Sequence, residues 1–157
     1  MQETTQEQVV VRLGGCRYAL SMAAVAEVGR PPALTRVPGL PEWVAGAANW
    51  RGRVLAVLDV RPLLDGSRGS LDRRARMVVV TRPGAGPAVQ VGLLVEDIEG
   101  TLHVAPDDVE PPLASLAGPT AQLLYGHLTD AAGPCGLFDV SALFGLADFL
   151  PRARRAV

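Results

Sequence analysis

Short runs of period-two alternation, bounded by glycine and proline, dominate this chain. Val9, Val11 and Leu13 alternate with Gln8, Val10 and Arg12; after Gly14-Gly15, Tyr18, Leu20 and Met22 alternate with Ala19 and Ser21. Successive strand side chains point to opposite faces, so this pattern predicts a hairpin around the glycine pair. Arg53 to Val60 is apolar at nearly every position and reads as a strand buried on both faces, entered through an Arg51-Gly52 turn. Further strands are expected at Met77–Thr81, Val89–Val95 and Thr101–Val104. Tyr125–Thr129 and Gly136–Val140 read as a closing hairpin with Asp130 to Pro134 as its turn. Helical turns are expected only at Met22–Val28, Pro62–Leu64 and Ser141–Phe144. Such strand spacing predicts an all-β barrel or sandwich.

Composition narrows this further. The 157 residues suffice for one domain or two small lobes. With 17 Gly and 13 Pro, a long helical bundle is excluded. Gly66 to Arg76 and Pro106 to Thr120 read as irregular connections, 1–8 as a disordered tail, and 147–157 as a C-terminal tail. The sequence also echoes itself. Leu58-Asp59-Val60 matches Phe138-Asp139-Val140 at an offset of 80, which Gly46 and Gly126 share; Tyr18-Ala19-Leu20 matches Val91-Gly92-Leu93 at 73. Two related lobes meeting at a cleft is the physical reading.

The charge is nearly balanced, with 15 basic against 16 acidic residues, which argues against a nucleic-acid or membrane-surface binder. No apolar run is long enough to span a bilayer, and the polar N-terminus resembles neither a signal peptide nor an anchor. A cytoplasmic location is expected. Every basic residue apart from the two histidines is Arg, so Schiff-base and phosphate-loop lysine chemistry is excluded.

Catalytic constellations are scarce. His103 and His127 have no ligand-spaced partners, so no metal or cofactor is expected. Asp59 and Asp139 are each followed by Val rather than the Ser/Thr-Gly of an aspartic dyad, and read as caps of the short helices that follow. Cys16 and Cys135 have no adjacent base and read as small hydrophobes. Arg73-Arg74-Ala75-Arg76 and the Arg-rich tail read as solvated segments.

The unusual stretch runs from Pro38 to Gly52 and carries both tryptophans, Trp43 and Trp50. Asn49 and Gly52 suit a sharp turn. Arg51 within it could fix a carboxylate bidentately, with Glu27 as the candidate. The residues alone leave an interaction surface and a plain turn beside a core tryptophan equally open.

At this stretch the chain resembles the CheW-like family, the adaptors of bacterial chemosensory arrays. The resemblance is carried by Tyr18-Ala19-Leu20, Val25-Ala26-Glu27-Val28, Thr35-Arg36-Val37-Pro38 and Gly46-Ala47-Ala48-Asn49-Trp50-Arg51-Gly52. It continues through Val54–Val60, Leu63-Leu64, Val91–Glu96, Tyr125-Gly126 and Leu137-Phe138-Asp139-Val140, and so spans about 9–146. Trp50 stands where the family has Leu, Ala47-Ala48 where it has a Val-Ile pair, and Glu96 where Asp is common.

The resemblance implies a domain over 9–146 of two intertwined five-stranded β-barrels, as lobes near 14–76 and 77–146 with the first strand crossing over, and no catalysis. It implies binding to the regulatory domain of a CheA-type histidine kinase and to the cytoplasmic tip of methyl-accepting chemoreceptors. By match, Glu27 and Arg51 would be the polar pair of the receptor-facing groove. Val25, Val28 and Ile98 would be its apolar residues, and Asn49, Trp50 and Gly52 would shape the adjoining turn. A small-molecule-binding or regulatory two-barrel module outside chemotaxis is the alternative, motivated by the cleft between lobes.

Overall fold

The computed structural model describes residues 4–64, 66, 69–85, 89–112 and 119–147. Ten strands follow the chain: β1 (Gln6–Leu13), β2 (Cys16–Ser21), β3 (Val25–Gly29), β4 (Val44–Trp50), β5 (Arg53–Leu58), β6 (Arg76–Thr81), β7 (Gln90–Val95), β8 (Asp97–Val104), β9 (Leu124–Asp130) and β10 (Gly133–Phe138). Three short helices, α1 (Arg61–Leu64), α2 (Pro119–Leu123) and α3 (Val140–Ala147), lie between and after them.

The strands form two five-stranded sheets, ordered β8-β1-β2-β10-β9 and β3-β6-β7-β5-β4. Both are antiparallel except for one central parallel pair each, β2 with β10 and β5 with β7. Among the described residues no backbone pairing joins the outer strands of either sheet, so two five-stranded sheets are shown and closed barrels are not.

The internal echo is structural. The parallel pair Val57↔Gly92 recurs as Leu137↔Ala19, which are the same positions under the offsets of 80 and 73. Thr35↔Ala47 recurs as Glu110↔His127. A Cβ on Gly46 would meet the Thr35 carbonyl oxygen at 2.6 Å, and one on Gly126 the Glu110 carbonyl oxygen at 2.7 Å, so both glycines permit the same close backbone approach. The repeats nevertheless do not fold separately. Each sheet takes two strands from one repeat (β1-β2 or β6-β7) and three from the other (β8–β10 or β3–β5). The expected division near residue 76 thus marks the sequence repeats and not the two sheets.

This exchange explains the strands buried on both faces. Val9, Val11, Leu13 and Leu20 face Val78, Val80, Val91, Leu93 and Val95 in one core shared by the sheets, closed by Leu58, Phe138, Leu143 and Phe144. The alternate residues fill a small core for each sheet: Val10, Ala19, Leu128, Cys135 and Leu137 in one, and Leu55, Val57, Met77, Val79 and Leu94 in the other. A one-residue slip of β1 would exchange its two apolar faces, and packing in the two cores opposes it.

Several boundaries differ from expectation. Of the helical turn expected at Met22–Val28, only Met22–Ala24 form a 3-10 turn; Val25–Gly29 continue as strand because they pair with Met77–Val80. Val44–Trp50 is a strand that the alternation did not indicate; the ladder with β5 outweighs the weak local propensity of its Ala and Gly residues. β8 begins at Asp97, β5 ends at Leu58 with Val54 66% exposed, and β10 spans Gly133–Phe138, leaving Ala131-Ala132 as its turn and placing Val140 in a helix. The expected N-terminal tail is partly strand: β1 starts at Gln6, and Gln8 is buried.

Candidate functional site

The Arg51-Gly52 dipeptide is the two-residue turn joining β4 and β5, with Trp50 and Arg53 paired across it. Its φ values of 51° and 81° are both positive, as a type I′ hairpin turn requires and as matches strand twist. Arg51 is the one non-glycine residue with positive φ among the described residues. Asn49 Oδ1 accepts a hydrogen bond from the Gly52 N–H at 3.1 Å and secures the turn.

This conformation aims two side chains at β3. Arg51 Nε lies 2.8 Å from Glu27 Oε1, and the Trp50 indole N–H donates to Glu27 Oε2. The Arg51 guanidinium also sits 5.8 Å from the Trp50 ring centroid, within reach of a cation–π contact. The Trp50 hydrogen bond first, and then the Arg51 charge, hold the Glu27 carboxyl below its ordinary pKa. Gly29 leaves room for the indole; a Cβ there would lie 2.6 Å from Trp50 Cη2. β3 and β4 are the opposite outer strands of their sheet, so Trp50 clasps its two edges together through side chains.

The remaining predicted residues are distributed around this clasp. Val28 is exposed beside Glu27 on β3, Val25 packs partly against the shared core, and Arg51 presents most of its side chain to solvent. Ile98 lies on β8 of the other sheet, at the position equivalent to Val25 in the repeat, and also borders the shared core. Val25 lines a cleft of about 700 Å³ between the sheets, with Tyr125, Phe138 and Asp139 on its other wall. Ile98 lines a different, arginine-rich cleft. Val25 and Ile98 thus line different clefts, one for each repeat position.

Asp59 and Asp139 behave as local caps. Asp59 Oδ1 accepts the Arg61 N–H at 3.1 Å, and Asp139 Oδ1 accepts the Ser141 N–H at 3.0 Å. Asp59 also binds the buried Arg61 guanidinium through Nε and Nη2, a contact with no counterpart at Ser141. Burial pushes the Cys135 thiol up to about 11, which disfavours the nucleophilic thiolate. Among the described residues no His/Cys/Asp/Glu group is arranged to hold a metal ion, and no helix is long and apolar enough to cross a membrane.

Sequence reasoning missed a polar network on the other sheet. Arg17 binds Asp130 through Nη1 at 2.9 Å and Nη2 at 3.1 Å, and also reaches the Gly133 carbonyl. Glu99 bridges Arg17 to Arg12. The four side chains come from β2, β9, β8 and β1, and period alone carries no signal that joins them.

Comparison with known proteins agrees with this architecture. The model of the CheW-like domain matches residues 7–148. The chain is 31% identical to Protein PilI of Pseudomonas aeruginosa over 115 residues, which cover 73% of this chain and 62% of PilI. It therefore spans less than two thirds of that relative's length. It is 27% identical to Protein FrzA of Myxococcus xanthus over 150 residues, covering 96% of this chain and 88% of FrzA, and 26% identical to chemotaxis protein CheW of Bacillus subtilis over 108 residues, covering 69% and 67%. The crystal structure of the scaffolding protein TtCheW from Thermoanaerobacter tengcongensis superimposes with a TM-score of 0.78, covering 91% of this chain and 90% of that one at 22% identity, and so shares the fold. With its motifs in family order and its two exchanged sheets, the chain belongs to the CheW-like domain family.

Proposed function

We propose that this protein is a non-catalytic adaptor that couples the cytoplasmic tips of chemoreceptors to the regulatory domain of a CheA-type histidine kinase. The observation that carries the reading is the Glu27–Trp50–Arg51 clasp within the family's ordered motifs. It presents a preorganised turn whose cation remains open to solvent, flanked by exposed Val28 and Val54. A few rigid polar and apolar anchors beside each other suit a modest interface whose occupancy is raised by avidity in an array.

Mechanically, such an adaptor transmits a signal by contacting its partners differently in their two states. The interlocked sheets serve this role, because displacing one strand pair disturbs both sheets through the shared core. The family relationship supports a cytoplasmic location at membrane-bound receptor arrays, reached through partners and without membrane insertion.

Co-purification with a co-encoded CheA-type kinase and a receptor-tip fragment tests the reading. Ternary complex formation that Arg51→Ala weakens is the expected result. Absence of binding to both partners by the intact protein overturns it.

A further inference from the structure

A second charged surface lies apart from the clasp. Arg73, Arg74 and Arg76 are adjacent in sequence, and the fold adds Arg30 to them. β3 and β6 run antiparallel with Gly29 opposite Met77, so the next residues along, Arg30 and Arg76, are brought face to face at the end of the ladder. The four arginines line a cleft of about 500 Å³ with Asp97 and Ile98 from the start of β8. Arg73 and Arg74 also line an adjoining hollow with Leu71 and Asp72.

Among the described residues none of the four arginines forms an ion pair with a carboxylate. Asp72 accepts the Arg74 backbone N–H, and Asp97 accepts the Ile98 N–H, so one oxygen of each is committed to the main chain. Arg76 Nη1 donates to the carbonyls of Arg73 at 2.9 Å and Ala75 at 2.7 Å, which fixes the guanidinium without compensating it. Like charges facing one another across strands are unfavourable. An external anion removes that cost.

The cleft's chemistry narrows the class of anion. Arg30, Arg73 and Arg74 are exposed and the cleft is open, whereas a small-molecule site encloses its ligand in a largely apolar wall. Among the described residues no aromatic side chain lines it for base stacking. Ile98 and Leu71 instead supply apolar contacts beside the guanidiniums. Forked donors next to aliphatic side chains match carboxylates on an amphipathic segment.

We propose that the Arg30/Arg73/Arg74/Arg76 cleft is a docking site for an acidic amphipathic segment of a partner protein. The cleft shares Ile98 with the groove residues that the resemblance implies but excludes Glu27, Trp50 and Arg51, and the charge argument for it does not depend on the adaptor reading. Failure of peptide binding with the kinase interaction intact would refute this proposal and leave that reading untouched.

The test is fluorescence anisotropy of the full chain with a labelled 20-residue helical peptide that carries Glu on one face and Leu on the other. Saturable binding is expected. It should weaken about tenfold or more in R73E/R74E, in Arg30→Glu and with a Gln-for-Glu peptide, and should fall with rising NaCl. Arg36→Glu, an exposed charge reversal outside the cleft, should leave it unchanged. Equal binding of the Glu and Gln peptides, or unchanged binding in both charge-reversal variants, overturns the proposal. So does more effective competition by tripolyphosphate or a single-stranded oligonucleotide, which would assign the cleft to phosphate. If a variant fails to fold, amide shift mapping on the wild type decides: changes at Arg30, Arg73–Arg76 and Ile98 support the proposal, and changes confined elsewhere overturn it.

Discussion

Arg51 Nε and Glu27 Oε1 are 2.8 Å apart although one residue lies in the β4–β5 turn and the other on the far edge of the same sheet. The pair exists because a non-glycine residue occupies the left-handed region at φ 51° and Trp50 folds over Gly29. Backbone conformation and the Glu27 ion pair are thus in tension at Arg51, and its variants can separate the strain from the proposed recognition role.

Arg51→Gly removes a side chain that disfavours positive φ, and also removes an exposed ion pair that contributes little. A gain of up to about 1 kcal/mol in unfolding free energy is expected, together with weakened partner binding. Arg51→Ala keeps the backbone strain and should not be stabilised. Urea unfolding of both variants beside a partner-binding assay checks this. A large stability loss in Arg51→Gly would mean that the clasp holds the fold together.

Trp50→Leu restores the residue usual in the family and deletes the indole donor to Glu27. The half-buried ring also packs into the small core of its sheet. A loss of about 1–2 kcal/mol is expected, with the Glu27 pKa rising toward its ordinary value. Denaturation followed by circular dichroism, and carboxyl titration by NMR, read the two effects separately.

The two repeat caps should differ in cost. Asp139→Asn retains an oxygen able to accept the Ser141 N–H, so a loss of no more than about 1 kcal/mol is expected. Asp59→Asn also leaves the buried Arg61 guanidinium facing a neutral amide, and should cost about 2–4 kcal/mol. Parallel chemical denaturation of the two variants checks the asymmetry; equal losses would show that the Arg61 contact adds nothing.

Asp130 and Glu99 both have lowered pKa values, chiefly through their hydrogen bonds with Arg17 and Arg12 respectively. A carboxyl with a depressed folded-state pKa stabilises the fold above its unfolded value. That contribution is lost as pH falls from about 4 through the folded value. Stability should therefore be flat near neutrality and fall in acid, and Asp130→Asn should make the acid slope shallower. Thermal unfolding across that range measures it; an unchanged slope in Asp130→Asn would contradict the assignment.

The two cysteines should react differently. Cys16 is exposed, while Cys135 is buried with its thiol pushed up to about 11. Iodoacetamide near pH 8 should modify Cys16 in the folded protein and reach Cys135 only after unfolding. Peptide mass mapping distinguishes the sites.

Alternation alone determined most strand positions, because a residue pattern of period two records which faces are buried. It also located the repeats, the aspartate caps and the Asn49–Gly52 turn, since these depend on neighbours in the chain. It did not reveal β4, whose small residues have weak strand propensity and are held by pairing with β5. Nor could it place Val25 and Ile98 in different clefts, or join Arg30 to Arg73–Arg76. Those relationships follow from strand exchange between the repeats, which is decided by long-range register and by a core shared between the sheets. The sequence by itself determined the local elements and singled out the Pro38–Gly52 stretch as unusual. Only the tertiary structure decided which of them meet, because pairing between distant strands, and not local preference, brings their side chains within bonding distance.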